Sequence, residues 1–124
     1  MANMKIASIN TRGLNNTRKR ISVFKWISDN HLDIIFVQET YCVQKFESIF
    51  SRQWNGEIYH SFTNSKHARG VCIMLSRNVS GSIISTHNDN LGRKLLLNVT
   101  IDDNMYTLVN VYCPTNLPER ARFS

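Results

Sequence analysis

Apolar and polar positions alternate along the 124 residues with a period that changes from one segment to the next. Met4 to Asn10 patterns as a strand, and Arg12 to Asn16 follows as a turn-forming stretch. Thr17 to Asn30 sets Ile21, Phe24 and Ile27 at helical spacing, with Trp26 nearby. Asp33 to Gln38, centred on Ile34-Ile35-Phe36-Val37, has the continuous apolar run of a strand buried on both faces. Strand, helix and strand in this order predict a right-handed crossover between parallel strands. Asn10 and Glu39 would then stand at carboxyl ends on the same edge of one sheet.

Beyond a short helix predicted over Val43 to Arg52, the pattern becomes strand-rich. Ile58 to Phe62, Gly70 to Ser76, Gly81 to His87, Leu95 to Ile101 and Tyr106 to Tyr112 all read as strands, the last two joined at Asp102-Asp103-Asn104 by a tight hairpin. On the last strand Met105, Thr107, Val109 and Val111 face one way, and Tyr106, Leu108, Asn110 and Tyr112 the other. Both faces carry apolar residues and are expected to be at least partly covered, which favours stacked sheets with outer helices. There is no repeat, low-complexity tract or Pro/Gly-rich linker, so one compact unit is implied.

Composition narrows the class. With 42% apolar and 19% charged residues the chain is expected to bury a core. Fifteen Lys and Arg against nine Asp and Glu give a net charge of +6, which suits a phosphate-bearing partner without identifying one. The run Ile34-Ile35-Phe36-Val37 falls far short of the ~20 apolar residues of a spanning helix, so no membrane span is expected. No extended apolar stretch follows Lys5, so the beginning is a poor secretory signal and an intracellular location is expected. Cys42, Cys72 and Cys113 are three, far apart and never Cys-x-x-Cys, which argues for packed thiols over a disulfide framework or a zinc site. His31, His60, His67 and His87 lack metal-ligand spacing and are expected to be solvent-exposed or hydrogen-bonded. Trp26 and Trp54 are expected to pack in or against the core.

Candidate chemistry sits in three short segments, each at the end of a predicted strand: Ser8-Ile9-Asn10-Thr11-Arg12-Gly13-Leu14, Val37-Gln38-Glu39-Thr40, and Val109-Asn110-Val111-Tyr112-Cys113-Pro114-Thr115. Together with Arg18-Lys19-Arg20, Arg69-Gly70-Val71-Cys72-Ile73-Met74 and Gly92-Arg93, in this order and spacing, they cover nearly the whole chain. The set resembles the endonuclease/exonuclease/phosphatase superfamily, and within it the endonuclease domains of LINE-type non-LTR retrotransposons. The resemblance implies an α/β fold, a four-layer αββα sandwich whose strand ends hold a divalent metal, Mg²⁺ or Mn²⁺, and cut the phosphodiester bonds of DNA with a metal-activated water. It implies that Glu39 is the carboxylate on the metal, that Asn10 orients the metal shell or the scissile phosphate, and that Tyr112 hydrogen-bonds that phosphate. Such a metal takes one or two carboxylates, several waters and substrate oxygens. A DNA substrate would point to the nucleus.

Each residue also has a plainer role. Asn10 can cap the turn before the helix, Glu39 can be a solvated strand-end carboxylate, Tyr112 a packing residue, and Arg18-Lys19-Arg20 a solvated helix start. The family pattern continues with a Gly-Asp-Phe-Asn-like and a Ser-Asp-His-like segment, and neither occurs in residues 1–124. The chain is therefore expected to be the amino-terminal portion of one such domain, truncated after about its first half, with strand edges and apolar surface left open. Each missing acid/base group is worth about 10² to 10⁴ in rate, so the isolated chain is expected to cut poorly. Two other readings stay open: a non-catalytic remnant that only binds nucleic acid, and a phosphoesterase acting on a small molecule or lipid.

Overall fold

The first strand, β1 (Ile6–Asn10), leads through a turn to helix α1 (Thr17–Asp29) and back to β2 (Ile34–Gln38). A computed structural model describes residues 3–79 and 81–114; Thr115, the last residue of the third motif, lies outside them. Strands β1 and β2 are parallel, with Asn10 opposite Gln38, as the crossover rule requires. The Asn16 side chain caps α1 by accepting from Lys19 N at 3.0 Å. The buried stripe of α1 is Arg20, Phe24 and Ile27. Ile21 is 49% exposed and Trp26 52% exposed, so neither packs inward as expected. At roughly 100° per residue a stripe through Arg20, Phe24 and Ile27 turns both toward solvent.

The segment expected to be one helix is a 3-10 turn (Gln44–Phe46) running into a short helix, α2 (Glu47–Gln53). Five strands follow: β3 (Glu57–Ser61), β4 (Val71–Leu75), β5 (Gly81–Asn88), β6 (Lys94–Ile101) and β7 (Asn104–Val111). The first four strands form a sheet ordered β1-β2-β4-β3, and β5-β6-β7 form a second, antiparallel sheet. Asp102 and Asp103 both have positive φ, 49° and 67°. Asn104 already belongs to β7, so the hairpin turn has two central residues instead of the three expected, and their twist matches the flanking strands. Tyr112 lies one residue beyond β7, where its N–H donates to Arg93 O at 2.8 Å.

Two cores meet at the four-stranded sheet. Ile35, Val37, Cys72 and Met74 face α1 and α2, packing with Phe24, Ile27, Phe50 and Trp54. Ile34, Val71, Ile73 and Leu75 face the second sheet and meet Leu95, Leu97, Val99, Ile101 and Leu108. All five residues of β4 are buried, because a strand covered on both faces has no solvent side. The outer face of the second sheet differs from expectation: Met105, Val109 and Val111 are 74%, 51% and 41% exposed. Among the described residues both helices lie on the other sheet, so this face has no covering layer.

Trp54 is a core residue whose Nε1–H donates to Leu75 O at 3.1 Å. Cys42 and Cys72 are packed thiols, but Cys113 is exposed. Burial, with Glu47 nearby, pushes the Cys42 thiol up to about 12, so it is no thiolate nucleophile near neutral pH. His60 also departs from expectation. It is buried, stacked on Phe62 at 4.7 Å and edge-on to Phe50, and neither ring nitrogen has a hydrogen-bond partner.

Burial lowers the His60 pKa to about 4 from 6.5. Its neutral form belongs to the fold and its charged form to the unfolded chain, so this contribution to stability is complete above pH 6.5. It is lost as pH falls from there toward 4, approaching about 3 kcal/mol. Urea denaturation across that interval should show the loss in the wild type and a flattened profile in His60→Phe, which keeps the ring and removes both unpaired nitrogens. An unchanged slope in the variant would refute the assignment.

Candidate active site

The three candidate residues are placed by a polar chain that crosses both sheets one step beneath the strand ends. Gln38 Nε2 donates to Ser8 Oγ at 3.1 Å and to Asn110 Oδ1 at 2.8 Å. Asn110 Nδ2 donates in turn to Val37 O at 3.0 Å and Cys72 O at 2.7 Å. Asn110 is 2% exposed, so its amide joins β7 of one sheet to β2 and β4 of the other, with donors and acceptor all used. Asn10 is two residues past Ser8, Glu39 one past Gln38, and Tyr112 two past Asn110. Asn10 ends β1, and Glu39 and Tyr112 are the first residues beyond β2 and β7, so each follows a linked position by one or two residues. All three candidates lie on one edge.

Glu39 is held by its backbone. It has φ 55°, a left-handed conformation that costs a non-glycine residue about 1 kcal/mol or more. Gly13 N at 2.6 Å and Thr11 Oγ1 at 3.1 Å both donate to its carbonyl, while the next residue, Thr40, is fully buried and donates from N to Gly70 O at 3.0 Å. The carboxylate thus projects, half-buried, from a clamped turn. Asn10 is exposed and its Oδ1 accepts from Arg12 N at 3.2 Å, the side-chain turn anticipated as its plainer role. Tyr112 is half-buried and packs against the core between the sheets.

Two glycines in the motifs serve close approach of loops. A Cβ on Gly70 would lie 2.4 Å from Thr40 Oγ1, and one on Gly92 would lie 2.5 Å from Gly70 N; both have positive φ, 87° and 75°. Gly92 O accepts from Gly70 N at 2.8 Å. Its N–H donates to Ser61 Oγ, which donates to Asp89 Oδ1 at 2.9 Å. Asp89 also accepts from Leu91 N and from Arg93 N and Nε. Burial raises its carboxyl pKa, but the bonds from Leu91, Ser61 and Arg93 outweigh that and hold it below the ordinary range. Asp89 is therefore a loop anchor. Arg93 meets it at 3.2 Å and presents its own carbonyl to Tyr112 N.

Arg20 corrects the expectation of a solvated helix start. It is 2% exposed, donates to Leu14 O at 2.9 Å and to Gln53 Oε1, and lies over the Phe50 ring. Asn110 and Gln38 were not singled out from sequence. The signal that could have found Asn110 is its inward register with Leu108, an amide at a core position that must find partners.

The family profile for "Endonuclease/Exonuclease/phosphatase family" matches residues 6–123. The chain belongs to the endonuclease/exonuclease/phosphatase family. It is 29% identical over 120 residues to the transposon TX1 uncharacterized 149 kDa protein of Xenopus laevis, covering 97% of this chain and 9% of that protein. Among solved structures, the Xenopus laevis APE2 catalytic domain superposes with TM-score 0.66 at 22% identity, covering 96% of this chain and 48% of that one. The AP endonuclease LMAP from Leishmania major gives 0.70 at 14% identity, covering 97% and 44%. These two likenesses show the fold, the two-sheet α/β sandwich of the family. The chain spans about half the length of these endonuclease/exonuclease/phosphatase structures.

In this family member Asn110 should be the most sensitive polar position. Asn110→Ala removes three buried hydrogen bonds, to Val37 O, Cys72 O and from Gln38 Nε2, and should cost about 2–3 kcal/mol. Asn110→Asp, nearly the same shape, should cost more, because an acceptor then faces both carbonyls. Chemical denaturation of the two variants checks the order; Asp tolerated better than Ala would refute the bridge.

Proposed function

We propose that the chain is the amino-terminal portion of a metal-dependent DNA endonuclease domain of retrotransposon type, hydrolysing phosphodiester bonds. The observation that carries this reading is the Ser8–Gln38–Asn110 chain, which fastens β1, β2 and β7 to one another one or two residues before Asn10, Glu39 and Tyr112. The likeness to the TX1 transposon protein along 97% of the chain supports the retroelement assignment. The AP endonuclease LMAP, of the same fold, supports a DNA substrate. No helix among the described residues is long and apolar enough to cross a membrane.

The donors at this edge, the half-buried Glu39 carboxylate with the exposed Asn10 amide beside it, are oxygen groups of the kind a hard cation such as Mg²⁺ or Mn²⁺ takes together with waters and substrate oxygens. Among the described residues no group of three or more His, Cys, Asp or Glu is arranged to hold a metal. Glu39 would hold the ion, with Asn10 beside it. When bound, such an ion offsets the negative charge that develops on the phosphate and the leaving oxygen. The Asn10 amide donates to a phosphate oxygen and sets the phosphate's orientation. The Tyr112 hydroxyl donates to another, a bond that strengthens as charge accumulates there. The base that activates water is not assigned to a residue of this chain.

A plasmid-nicking assay on the domain, with this chain continued through its carboxyl-terminal half, tests the reading. Nicking of supercoiled DNA should require Mg²⁺ or Mn²⁺ and stop with EDTA. Tyr112→Phe should slow it on the order of 10²-fold, and Glu39→Ala at least as much. Metal-independent cutting, or full activity in Glu39→Ala, would overturn the proposal.

A further inference from the structure

The two turns of the second sheet are held in different ways. Asp102 and Asp103 close the β6–β7 hairpin with their backbone twist, whereas the turn from Asp89 to Arg93, between β5 and β6, is gathered around one carboxylate. Asp89 Oδ1 accepts from Ser61 Oγ at 2.9 Å, Leu91 N at 3.1 Å, Arg93 N at 3.3 Å and Lys94 N at 3.4 Å. Its Oδ2 accepts from Arg93 Nε at 3.2 Å. The Asp89 side chain is only 18% exposed, and a charge held mostly out of water is costly unless its bonds require it. A neutral asparagine would keep the four bonds to Oδ1 and anchor the turn with a smaller desolvation cost. Only the bond from Arg93 Nε calls for the second oxygen and its charge.

That bond leads to Tyr112. The β6–β7 ladder ends at the pair Lys94 and Val111, and Tyr112 N donates to Arg93 O at 2.8 Å just past it. Arg93 precedes β6, so its place is set by the turn as well as by the sheet, and Asp89 grips it at both N and Nε. On its other side Asp89 is held by Ser61, the last residue of β3 in the first sheet. Ser61 Oγ accepts from Gly92 N, Gly92 O from Gly70 N, and Gly70 O from Thr40 N, the residue after Glu39. A second path of bonds, separate from Ser8–Gln38–Asn110, therefore runs from the Glu39 turn to Tyr112 through Asp89. The Asn110 amide fixes the register of β7, two residues before Tyr112, and this second path fixes the backbone at Tyr112 itself. The hydroxyl lies at the far end of a rigid ring, where any tilt of that backbone is enlarged.

We propose that Asp89, acting through Arg93, is a positioning residue for Tyr112, holding its hydroxyl where the scissile phosphate arrives. The assignment rests on the nuclease reading above and adds a carboxylate that touches neither metal nor substrate. Asp89→Asn keeps the acceptor for Ser61, Leu91, Arg93 N and Lys94 and sets an amide N–H against Arg93 Nε, so it breaks the link to Arg93 and leaves the rest of the turn bonded. A displaced hydroxyl loses a bond that strengthens in the transition state, so the loss falls on kcat and not on KM.

The test is a double-mutant cycle on the same complete domain, reading kcat and KM for DNA nicking in wild type, Asp89→Asn, Tyr112→Phe and the double variant. Asp33→Asn is the control, an equally buried loop carboxylate that accepts from Lys5 N at 2.9 Å and Ser76 Oγ at 3.3 Å at the opposite end of β2. Asp89→Asn should lower kcat about 10-fold, within the ~10²-fold that a misplacement of about 1 Å costs, with KM near wild type and Asp33→Asn near wild type in both. Added to Tyr112→Phe, Asp89→Asn should cost almost nothing further, because the hydroxyl it places is already gone. Ser61→Ala, which frees the other side of the carboxylate, should repeat the pattern more weakly and stands in if Asp89→Asn fails to fold. A full 10-fold loss on top of Tyr112→Phe would show a general structural role and overturn the proposal, as would a rise in KM alone. Fluorine NMR with meta-fluorotyrosine incorporated at position 112 reads the ring without any cutting. Its resonance should shift or broaden in Asp89→Asn and not in Asp33→Asn; an unchanged resonance would overturn the link whatever the nicking result. A domain that fails to nick while the resonance responds would remove the hydrolytic reading and leave Asp89 as the group that places Tyr112.

Discussion

The arrangement depends on one buried amide. Asn110 is the polar group that the packing between the two sheets must accommodate, and it is tolerated there because its donors and acceptor are all engaged across the interface. Hydrophobic contacts between Ile34, Val71, Ile73 and Leu75 and the facing leucines and valines supply attraction, but such contacts are non-directional and fix no register. The amide does, since sliding β7 by one residue would bury Val109 or Val111 against two carbonyls and turn Asn110 to solvent. The position of Tyr112 relative to Glu39 follows from that single register.

Around this bridge the loops at the strand ends are fastened to one another more than to the strands. Thr40 N reaches Gly70 O, Gly70 N reaches Gly92 O, and Gly92 N reaches Ser61 Oγ, which is held by Asp89. Left-handed residues occur repeatedly here, at Arg12, Glu39, Tyr41 and Arg69. Such conformations persist only where the surroundings over-determine them, and the bonded loops supply that constraint. A backbone held in this frame fixes where the Glu39 side chain leaves the chain, a precondition for a metal ligand.

The two faces of the molecule are unequal. Helices cover the sheet that carries Glu39, whereas the sheet that carries Tyr112 presents Met105, Val109 and Val111 to solvent. Sequence alternation located the apolar positions on both sides of β7 but could not tell a covered side from a bare one, since periodicity records which residues share a face and not what lies opposite. The same limit explains Trp26 and Ile21, apolar residues on α1 that the burial of Arg20 leaves outside the stripe.

Local patterning alone determined the order of elements, the parallel β1–β2 unit and the tight hairpin, because each depends on contacts between near neighbours or on the fixed hand of a crossover. The motifs around Asn10, Glu39 and Tyr112 likewise marked the family, and residues 6–123 match it. What the tertiary structure decided is how distant groups are paired. Asn110 bonds to Val37 across 73 positions and Gln38 to Ser8 across 30, and no local propensity encodes such a pairing. Arg20 and His60 carry the same lesson, as a cation and an imidazole that composition assigns to the surface are buried by rings that reach them only after folding. Sequence specifies which groups need partners; the packed structure alone determines which partners they find, because the cost of an unpaired buried group is set by its surroundings.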